Sequence, residues 1–212
     1  MSTHIHRLIA EGEHQQLDFK FEITDARRIA RSLVAFANTD GGRLLIGVKD
    51  NGAIAGVRSD EEYYMLEAAA KMYCKPPVDF QSTEWSINNK TVLEIIVPKS
   101  AKKPHYALHH DGTEMVYIRV GDQNLLANRV LLKFWEKEGA PKGVFLKFTE
   151  KEKILLEYLH DNSDITLSKF CRIAGIPRAK AEMILVKFLL LKTINIRFTE
   201  KQTFYSLRPE KQ

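Results

Sequence analysis

The most regular hydrophobic pattern in the chain lies in the segment TDARRIARSLVAFAN, residues 24–38. Its apolar residues recur at helical spacing: Ala26, Ile29, Ala30, Leu33, Val34 and Ala37. That spacing places them on one side of an α-helix and predicts a single buried stripe. Thr24 or Asp25 stands where a helix N-cap is expected.

A glycine-rich loop and a hairpin are predicted after this helix. The segment NTDGG leads into RLLIGVK, an apolar run typical of a strand. Asp50, Asn51 and Gly52 then suit a tight turn that requires positive φ. The pattern therefore predicts the order helix, loop, hairpin.

The rest of the first two thirds mixes helical and strand patterns. Helices are predicted over 60–74, where the following Lys-Pro-Pro ends the helix, and over about 124–138. Strands are predicted at 78–86, 91–97 and 115–120. Because helices and strands do not alternate regularly, the sequence predicts the α+β class and not a doubly wound sheet.

The last third has sharper patterns. Three helices are predicted in EKEKILLEYLHD, ITLSKFCRIAG and RAKAEMILVKFLLLKTI, with Gly175 ending the second and Pro177 opening the third. IRFTEKQTFYSL then predicts a hairpin with a polar tip. This order is typical of a winged helix-turn-helix. We therefore expect a first domain at 1–138, a linker at 139–148 and a winged helix at 149–212.

The third helix of a winged helix is the one offered to the major groove. Arg178, Lys180 and Lys187 are predicted to face outward on it, and Lys201 lies on the wing. These side chains can neutralise phosphates or contact guanine edges. Winged helices also serve in dimerisation and protein docking, and the leucine-rich third helix suits that role as well.

Charge and composition narrow the class of protein. The net charge is +5, and residues 149–212 hold 12 Lys and Arg against 8 Asp and Glu, whereas residues 1–148 hold 20 against 19. The excess of positive charge is therefore in the last third, as a polyanion-binding module requires. With 44% hydrophobic residues, the chain can build a core.

Cysteine use and hydropathy indicate the compartment. Cys74 and Cys171 are far apart and show no metal-ligand spacing, so neither a disulfide framework nor a structural zinc site is indicated. No apolar run has the length of a signal peptide or of a membrane span. We expect a soluble, cytoplasmic protein without a membrane partner.

Three blocks carry a resemblance to a known family: GEHQQLDFK, AFANTDGGRLLIGVKDNGAIAG and KPHYALHHDGTEMVYIRVGDQNLLA. In order and spacing they resemble the Schlafen AlbA-like domain family, also called the divergent AAA family, over most of residues 5–138. The resemblance implies an AlbA-like domain that binds nucleic acid. Bacterial members often join this domain to a C-terminal winged helix, in agreement with the pattern of residues 149–208.

The resemblance also implies a candidate catalytic site. In Schlafen nucleases three acids form a metal-dependent RNA-cleaving site, and the matching positions are Glu13, Asp18 and Asp50. Mg²⁺ or Mn²⁺ takes such hard oxygen ligands and activates water. Lys20 would then neutralise a phosphate.

The first motif departs from the nuclease pattern, because Asp18 stands where those members usually carry Glu. Glu13 and Asp18 are also an odd number of positions apart, so they would lie on opposite faces of a continuous strand. They converge only if the chain bends near Gln15. Asp50 alternatively serves only to begin the Asn-Gly turn.

No other motif indicates a cofactor. Gly47 and Gly52 have P-loop spacing, but Ala53 and Ile54 stand where Lys and Ser or Thr are required, so there is no Walker A motif for ATP.

A basic stretch precedes the third block of the resemblance. Lys99, Lys102 and Lys103, followed by His105 and Tyr106, suit either a nucleic-acid backbone with a stacked base or a solvated loop. The HHDG segment that follows looks like a hairpin tip, and we assign no metal there.

The sequence thus leaves three functional hypotheses. The leading one is a nucleic-acid-binding protein, acting as a DNA-binding transcriptional regulator through its winged helix. The first alternative is a ribonuclease that depends on Mg²⁺ or Mn²⁺. The second is a dimerising adaptor without nucleic-acid binding, and a homodimer is compatible with all three.

Overall fold

The computed structural model describes residues 3–138 and 147–209. The chain divides into two units, Met1–Leu126 and Ala127–Gln212. Each combines helices with β-structure, so the predicted α+β class is confirmed. No helix in the described ranges is both long and apolar enough to cross a membrane.

The first unit holds three described helices: α1 (Thr3–Glu11), α2 (Ala26–Asn38) and α3 (Glu61–Met72). Its strands are β1 (Leu17–Lys20), β2 (Gly42–Ile46), β3 (Cys74–Lys75), β4 (Gln81–Ile87), β5 (Lys90–Val97), β6 (Tyr106–Leu108), β7 (Glu114–Met115), β8 (Tyr117–Val120) and β9 (Gln123–Leu126). The sequence patterns do not predict α1. The helix predicted over about 124–138 begins too early, because Gln123–Leu126 is strand β9, paired with β8.

A four-stranded sheet in the order β1-β2-β5-β4 is the framework of this unit. β1 and β2 are parallel and joined through α2, whereas β5 is antiparallel to both of its neighbours. Asp18 pairs with Leu44 across the parallel strands. The first motif is therefore fixed in register against the strand that follows α2.

Each face of the sheet packs against helices. On one face, Leu44, Ile46 and Ile95 join the buried stripe of α2 and residues of α3. On the other face, Leu17, Phe19 and Leu45 pack against Ile5 and Leu8 of α1. Alternation along β1 therefore sends Asp18 and Lys20 to the opposite side from Leu17 and Phe19.

The helix cap and the glycine loop are built as the pattern indicates. The side chain of Asp25 accepts a hydrogen bond from the backbone N–H of Arg27 at 2.8 Å and so caps α2. At the other end, the N–H groups of Thr39 and Gly41 both donate to the carbonyl oxygen of Phe36. Gly41 has φ +71°, and a Cβ there would lie 2.8 Å from the carbonyl oxygen of Val97, so the position requires glycine.

Buried Asn38 ties the end of α2 to the later strands. Its amide nitrogen donates to the carbonyl oxygens of His105 and Tyr117, both at 2.9 Å, and its oxygen accepts from the N–H of His105 at 2.8 Å. Thr39 continues this link, since its hydroxyl accepts from the N–H of Arg119 at 2.9 Å. The AFANT segment therefore positions the YIRVG segment.

The second unit contains α4 (Arg129–Glu138), α5 (Glu150–Asp161), α6 (Leu167–Ala174), α7 (Arg178–Leu190), β10 (Ile194–Phe198) and β11 (Thr203–Leu207). A capping box of Thr149 and Glu152 begins α5, and the Thr166 side chain caps α6. Gly175 ends α6 with φ 61°, as expected for a left-handed C-cap. The three predicted helices and the hairpin are thus present.

The core of the second unit forms around α7. Leu185, Val186 and Phe188 are buried there among residues of α5, α6 and the hairpin. A bridge between Ile165 and Tyr205 connects the start of α6 to β11. More than half of α7 is therefore used for packing.

Helix α4 belongs to this second core, because its Val130 is buried in the same cluster. The units divide after Leu126, so α4 is not in the first unit, where the predicted boundary at residue 138 would place it. The predicted linker, 139–148, lies outside the described residues apart from Lys147 and Phe148.

Candidate functional site

The chain bends between Glu13 and Asp18 and brings the two acids together. His14 and Leu17 exchange backbone hydrogen bonds of 2.9 and 3.2 Å, which closes a turn just before β1. The Glu13 Oε1 atom accepts a hydrogen bond from the N–H of Phe19 at 2.8 Å. Burial, together with the adjacent carboxyl of Asp18, raises the pKa of Glu13.

Asp18 is buried and lies between two cations. Lys20 Nζ is 2.9 Å from its Oδ2 atom, and a guanidinium nitrogen of Arg119 is 3.4 Å from its Oδ1 atom. Both Asp18 and Arg119 have side chains that are at most 4% exposed. The charge of Asp18 is therefore balanced inside the protein.

Arg119 joins the first and third sequence blocks. Its Nη2 atom donates to the carbonyl oxygens of His14 and Leu17 at 3.3 and 3.2 Å, and Nη1 donates to Asn124 at 3.2 Å. The guanidinium lies 5.2 Å from the centre of the Phe36 ring. The buried arginine thereby fixes the bend that pairs the acids.

Gln15 adds a second connection between the same blocks. Its side chain donates to the carbonyl oxygen of Arg119 and accepts from the N–H of Gly121, both at 2.9 Å. The sequence motifs do not indicate the contacts of Gln15 and Arg119. A single arginine among the apolar residues of YIRV was the available signal, since such a residue is buried only with partners.

The structure does not bring Asp50 into this cluster. Asp50 is exposed in the turn after Val48, where Gly52 N–H donates to the carbonyl oxygen of Lys49 at 2.7 Å. Within residues 3–138 and 147–209, no group of three or more His, Cys, Asp or Glu side chains is arranged to hold a metal ion. Glu13 and Asp18 are thus paired, but Asp50 is not added to them as a third ligand.

The two paired acids are engaged by other groups of the protein. Glu13 Oε1 accepts from the backbone and Asp18 contacts Lys20 and Arg119, so a divalent metal would compete with these contacts. Lys20 also donates to the carbonyl oxygen of Phe19 at 2.7 Å. Its ammonium group is therefore paired with the carboxylate of Asp18 in this arrangement.

A second buried carboxylate lies on the α1 face of the sheet. Glu94 accepts from Arg43 at 2.7 Å, from Trp85 at 2.9 Å and lies 3.1 Å from His4 Nε2. Burial alone would raise the pKa of Glu94, but these partners hold it below its ordinary value. This network ties α1 to the sheet.

The basic stretch before β6 is only partly open to solvent. Lys99 pairs with Asp40 at 3.1 Å, Lys102 is exposed, and Lys103 donates to the carbonyl oxygen of Thr39 at 3.4 Å. His105 is buried, with its ring nitrogens 2.9 Å from the carbonyl oxygen of Pro76 and 2.8 Å from the Ser100 hydroxyl. His105 therefore serves the core.

In the second unit the four predicted cations have different surroundings. Arg178 is 67% exposed and pairs with buried Glu182 at 3.2 Å. Lys180 at the start of α7 and Lys201 in the hairpin loop are both exposed. Lys187 is partly buried near Glu152, whose pKa burial alone would raise but the Thr149 hydrogen bond and the Lys187 charge lower. Three of the four are thus available at the surface.

Residues 13–128 match the model of a known protein family, described as Schlafen, AlbA_2. The match covers more than half of the 212 residues. The chain belongs to the Schlafen, AlbA_2 family. This confirms the resemblance found in the three sequence blocks. The matched part of the Schlafen, AlbA_2 chain includes Glu13, Asp18, Asp50 and Arg119, whereas α5, α6 and α7 lie beyond it.

Two solved structures are similar to this Schlafen, AlbA_2 chain. The DIP2311 protein from Corynebacterium diphtheriae has 19% identity and a TM-score of 0.45, covering 69% of this chain and 29% of that chain. The N-terminal domain of a RecG-related protein from Nitrosomonas europaea has 21% identity and a TM-score of 0.40, covering 59% and 95%. This chain therefore spans less than a third of the first protein. None of the curated proteins compared with the chain matches it.

Proposed function

We propose that the protein binds nucleic acid and that its second unit contacts duplex DNA, as a transcriptional regulator does. One observation carries the proposal. The exposed cations of the second unit stand at the two places from which a winged helix contacts DNA, the start of the third helix and the tip of the hairpin.

The order of elements in the second unit supports this assignment. α5, α6 and α7 are followed by the β10–β11 hairpin, and a three-residue segment, Gly175 to Pro177, separates α6 from α7. This is the order of a winged helix-turn-helix. The C-terminal half of α7 is largely buried, so only its N-terminal turn is free to enter a groove.

The chemistry of these side chains also supports DNA contact. Among the described residues, neither Lys180 nor Lys201 has a carboxylate partner. Arg178 keeps most of its guanidinium exposed while Glu182 holds it in place. A positioned arginine and two unpaired lysines can bind phosphates and release counterions.

Membership of the Schlafen, AlbA_2 family supports the broader statement that the protein acts on or with nucleic acid. The finer statement, regulation of transcription through duplex DNA, depends on the second unit alone. The two statements are therefore tested separately.

The test of DNA contact is retention of a labelled duplex by the full chain at a series of salt concentrations. The Lys180→Glu/Lys201→Glu variant should bind more weakly, and the slope of log K against log salt should fall by about 1.8 if two phosphate contacts are lost. Lys153→Glu is the matched control, since Lys153 is 52% exposed on α5. Glutamate near the start of α7 favours the helix dipole, so folding is not expected to suffer.

Unchanged binding by the double variant would rule out this surface. Binding of neither DNA nor RNA, together with a stable dimer in sedimentation, would instead support the dimerising adaptor.

Metal-dependent RNA cleavage has less support than binding, because Asp18 is paired with two cations and Asp50 is not gathered with it. We expect no cleavage of RNA when Mn²⁺ is added to the wild-type protein. Cleavage that disappears in Asp50→Ala would revive the ribonuclease hypothesis.

A further inference from the structure

Three arginines on the first two turns of α2 form what we call the arginine face: Arg27, Arg28 and Arg31. Across residues 3–138 and 147–209, none of their guanidiniums has a carboxylate ion-pair partner. The first turn of α2 holds no acid after its cap. Like charges three or four residues apart, near the positive end of a helix, lower helix stability. The N-cap Asp25 is the acid at this end of the helix, and it forms no ion pair with any of the three arginines.

Aromatic and histidine side chains hold two of these arginines in position. The guanidinium carbon of Arg27 lies 4.6 Å from the centre of the Tyr73 ring, and its Nη1 atom lies 3.0 Å from His110 Nδ1. A guanidinium stacked on a ring loses little further freedom when it binds an anion.

Arg31 is held in the same way one turn later. Its guanidinium carbon is 6.0 Å from the Tyr117 ring, and Nη2 is 3.5 Å from His109 Nδ1. The other ring nitrogen of His109 lies 2.8 Å from the Tyr117 hydroxyl. Arg28 lies between the two held arginines and is exposed, without a side-chain partner among the described residues.

A cavity of about 450 Å³ opens beside the arginine face. Lys20, Arg28 and Arg31 supply cations to its lining, and Tyr117 and Asn124 also line it. Its volume falls in the range that accepts a small ligand or a single nucleotide. The cavity lies between α2, the end of β1 and the β8–β9 strands, and it is concave. A protein element that enters a duplex groove protrudes, so the shape of this cavity suits a single strand better than a duplex.

The acids of the cavity already have partners. Glu22 pairs with Arg58 at 3.1 Å. Asp25 caps α2 and lies 3.0 Å from His110 Nε2. Asp18, behind Lys20, is also paired with Arg119. No acid that lines the cavity forms an ion pair with Arg28 or Arg31.

We propose that the arginine face and this cavity bind the phosphates of a single-stranded nucleic acid. The planar guanidinium suits bidentate contact with phosphate oxygens. Arg27 and Arg31 are about one helical turn apart, roughly 5.4 Å along the axis, so the face can contact more than one phosphate of the same strand. This site deepens the proposed nucleic-acid function and is independent of the duplex contact in the second unit.

The experiment measures binding of a labelled single-stranded RNA oligonucleotide to the full chain across a salt series. Arg28→Ala/Arg31→Ala should weaken binding at least about tenfold, the loss expected for one or more charge-assisted hydrogen bonds. The salt slope should fall by about 1.4 if two single-strand phosphate contacts are lost. Arg7→Ala is the matched control, because Arg7 is an exposed arginine on α1, which packs on the other face of the sheet.

Two further variants guard against a folding defect. Arg31→Lys keeps the charge but not the bidentate geometry, and an intermediate loss of affinity is expected. Arg28→Ala removes no described side-chain contact, so this variant is expected to fold correctly. A loss of at least threefold in its RNA affinity would by itself support the site. Wild-type affinity in both Arg28→Ala and the double variant would overturn it, and so would an equal loss in Arg7→Ala.

Two further measurements distinguish this site from a free-nucleotide site and from binding through the second unit. Displacement of the RNA by an equimolar nucleoside triphosphate would replace the strand with a nucleotide ligand and overturn the proposal. Failure of Lys180→Glu/Lys201→Glu to affect duplex binding would contradict the proposed duplex contact but leave this one standing. RNA binding that falls only in the Lys180→Glu/Lys201→Glu variant would contradict the arginine-face site and leave the duplex contact standing.

Discussion

Each unit contains a buried acid with two cationic partners, Asp18 and Glu182, but the cations differ in exposure. Arg119, beside Asp18, is 1% exposed, and its guanidinium contacts Asp18 and the carbonyl oxygens of His14 and Leu17. Arg178, beside Glu182, is 67% exposed, and Lys133 completes that cluster at 2.8 Å. The first arrangement connects segments inside the first unit, whereas the second holds a cation whose side chain stays largely exposed.

Glu13, the neighbour of Asp18, and Glu182 differ in the direction of their pKa shifts. Glu13 has a carboxyl neighbour, so burial and Asp18 raise the pKa of Glu13. Burial alone would also raise the pKa of Glu182, but Lys133 and Arg178 lower it. The number of cations relative to carboxylates thus decides which protonation state folding favours.

The largest expected effect comes from removing the buried arginine. Arg119→Ala leaves buried Asp18 with one cation and removes the guanidinium hydrogen bonds to the carbonyl oxygens of His14 and Leu17, so we expect a loss of about 3–5 kcal/mol in the free energy of unfolding. Arg178→Ala is the matched change in the second unit and should cost at most about 1 kcal/mol, because that pair is exposed on one side. Urea unfolding measures both, and equal losses would contradict the comparison.

Glu182→Gln should lower the stability of the second unit by about 2 kcal/mol at neutral pH, since it removes charge-assisted hydrogen bonds. The pKa of Glu182 is below its ordinary value of 4.5 in the folded state. Its stabilisation is therefore present above pH 4.5 and lost as the pH falls through the folded-state pKa. The difference between wild type and variant should disappear in acid, and a difference that persists there would indicate a packing defect.

Glu13→Gln should act in the opposite direction and by less, below about 1 kcal/mol. The folded-state pKa of Glu13 is raised above 4.5, so its favourable contribution is present below that pH and lost as the pH rises through the folded-state pKa. The amide retains an acceptor for the Phe19 N–H. We expect the variant to gain stability relative to wild type from about pH 4.5 upward, measured by thermal unfolding in buffers of matched ionic strength.

Asp50→Ala should have the smallest effect, within about 0.5 kcal/mol, because Asp50 is exposed and makes no described ion pair. Addition of Mn²⁺ should not raise the unfolding temperature of either protein, since a metal stabilises only the state that binds it. A Mn²⁺-dependent rise in wild type that is absent in Asp50→Ala would show that the three acids assemble after all.

The helices with strong local signals were predictable from sequence. The α2 stripe, the Asp25 cap, the Gly175 stop and the proline before α7 are properties of a few neighbouring residues. The sequence patterns do not predict α1, because this helix is only nine residues long and is stabilised by packing on the sheet. Strand β9 was assigned to a helix because its pairing with β8 is a tertiary property.

In the candidate site, too, the motif residues were predictable from sequence and their distant partners were not. The motif residues Glu13, Asp18 and Asp50 were identifiable, and so was the need for a bend near Gln15. Their partners were not, because Arg119 lies more than 100 residues from Asp18 in the chain and contacts it only after the sheet has formed.

The sequence by itself determined the family, the α+β class, the order of elements in the second unit and the uneven distribution of charge. These depend on motifs, on short-range periodicity and on residue counts. Only the tertiary structure decided which acids meet, which cations are used inside the protein and which remain exposed, because pairing between distant segments follows from strand register and packing. The protonation preference of Glu13 and the unbalanced charge of the arginine face are both consequences of that pairing.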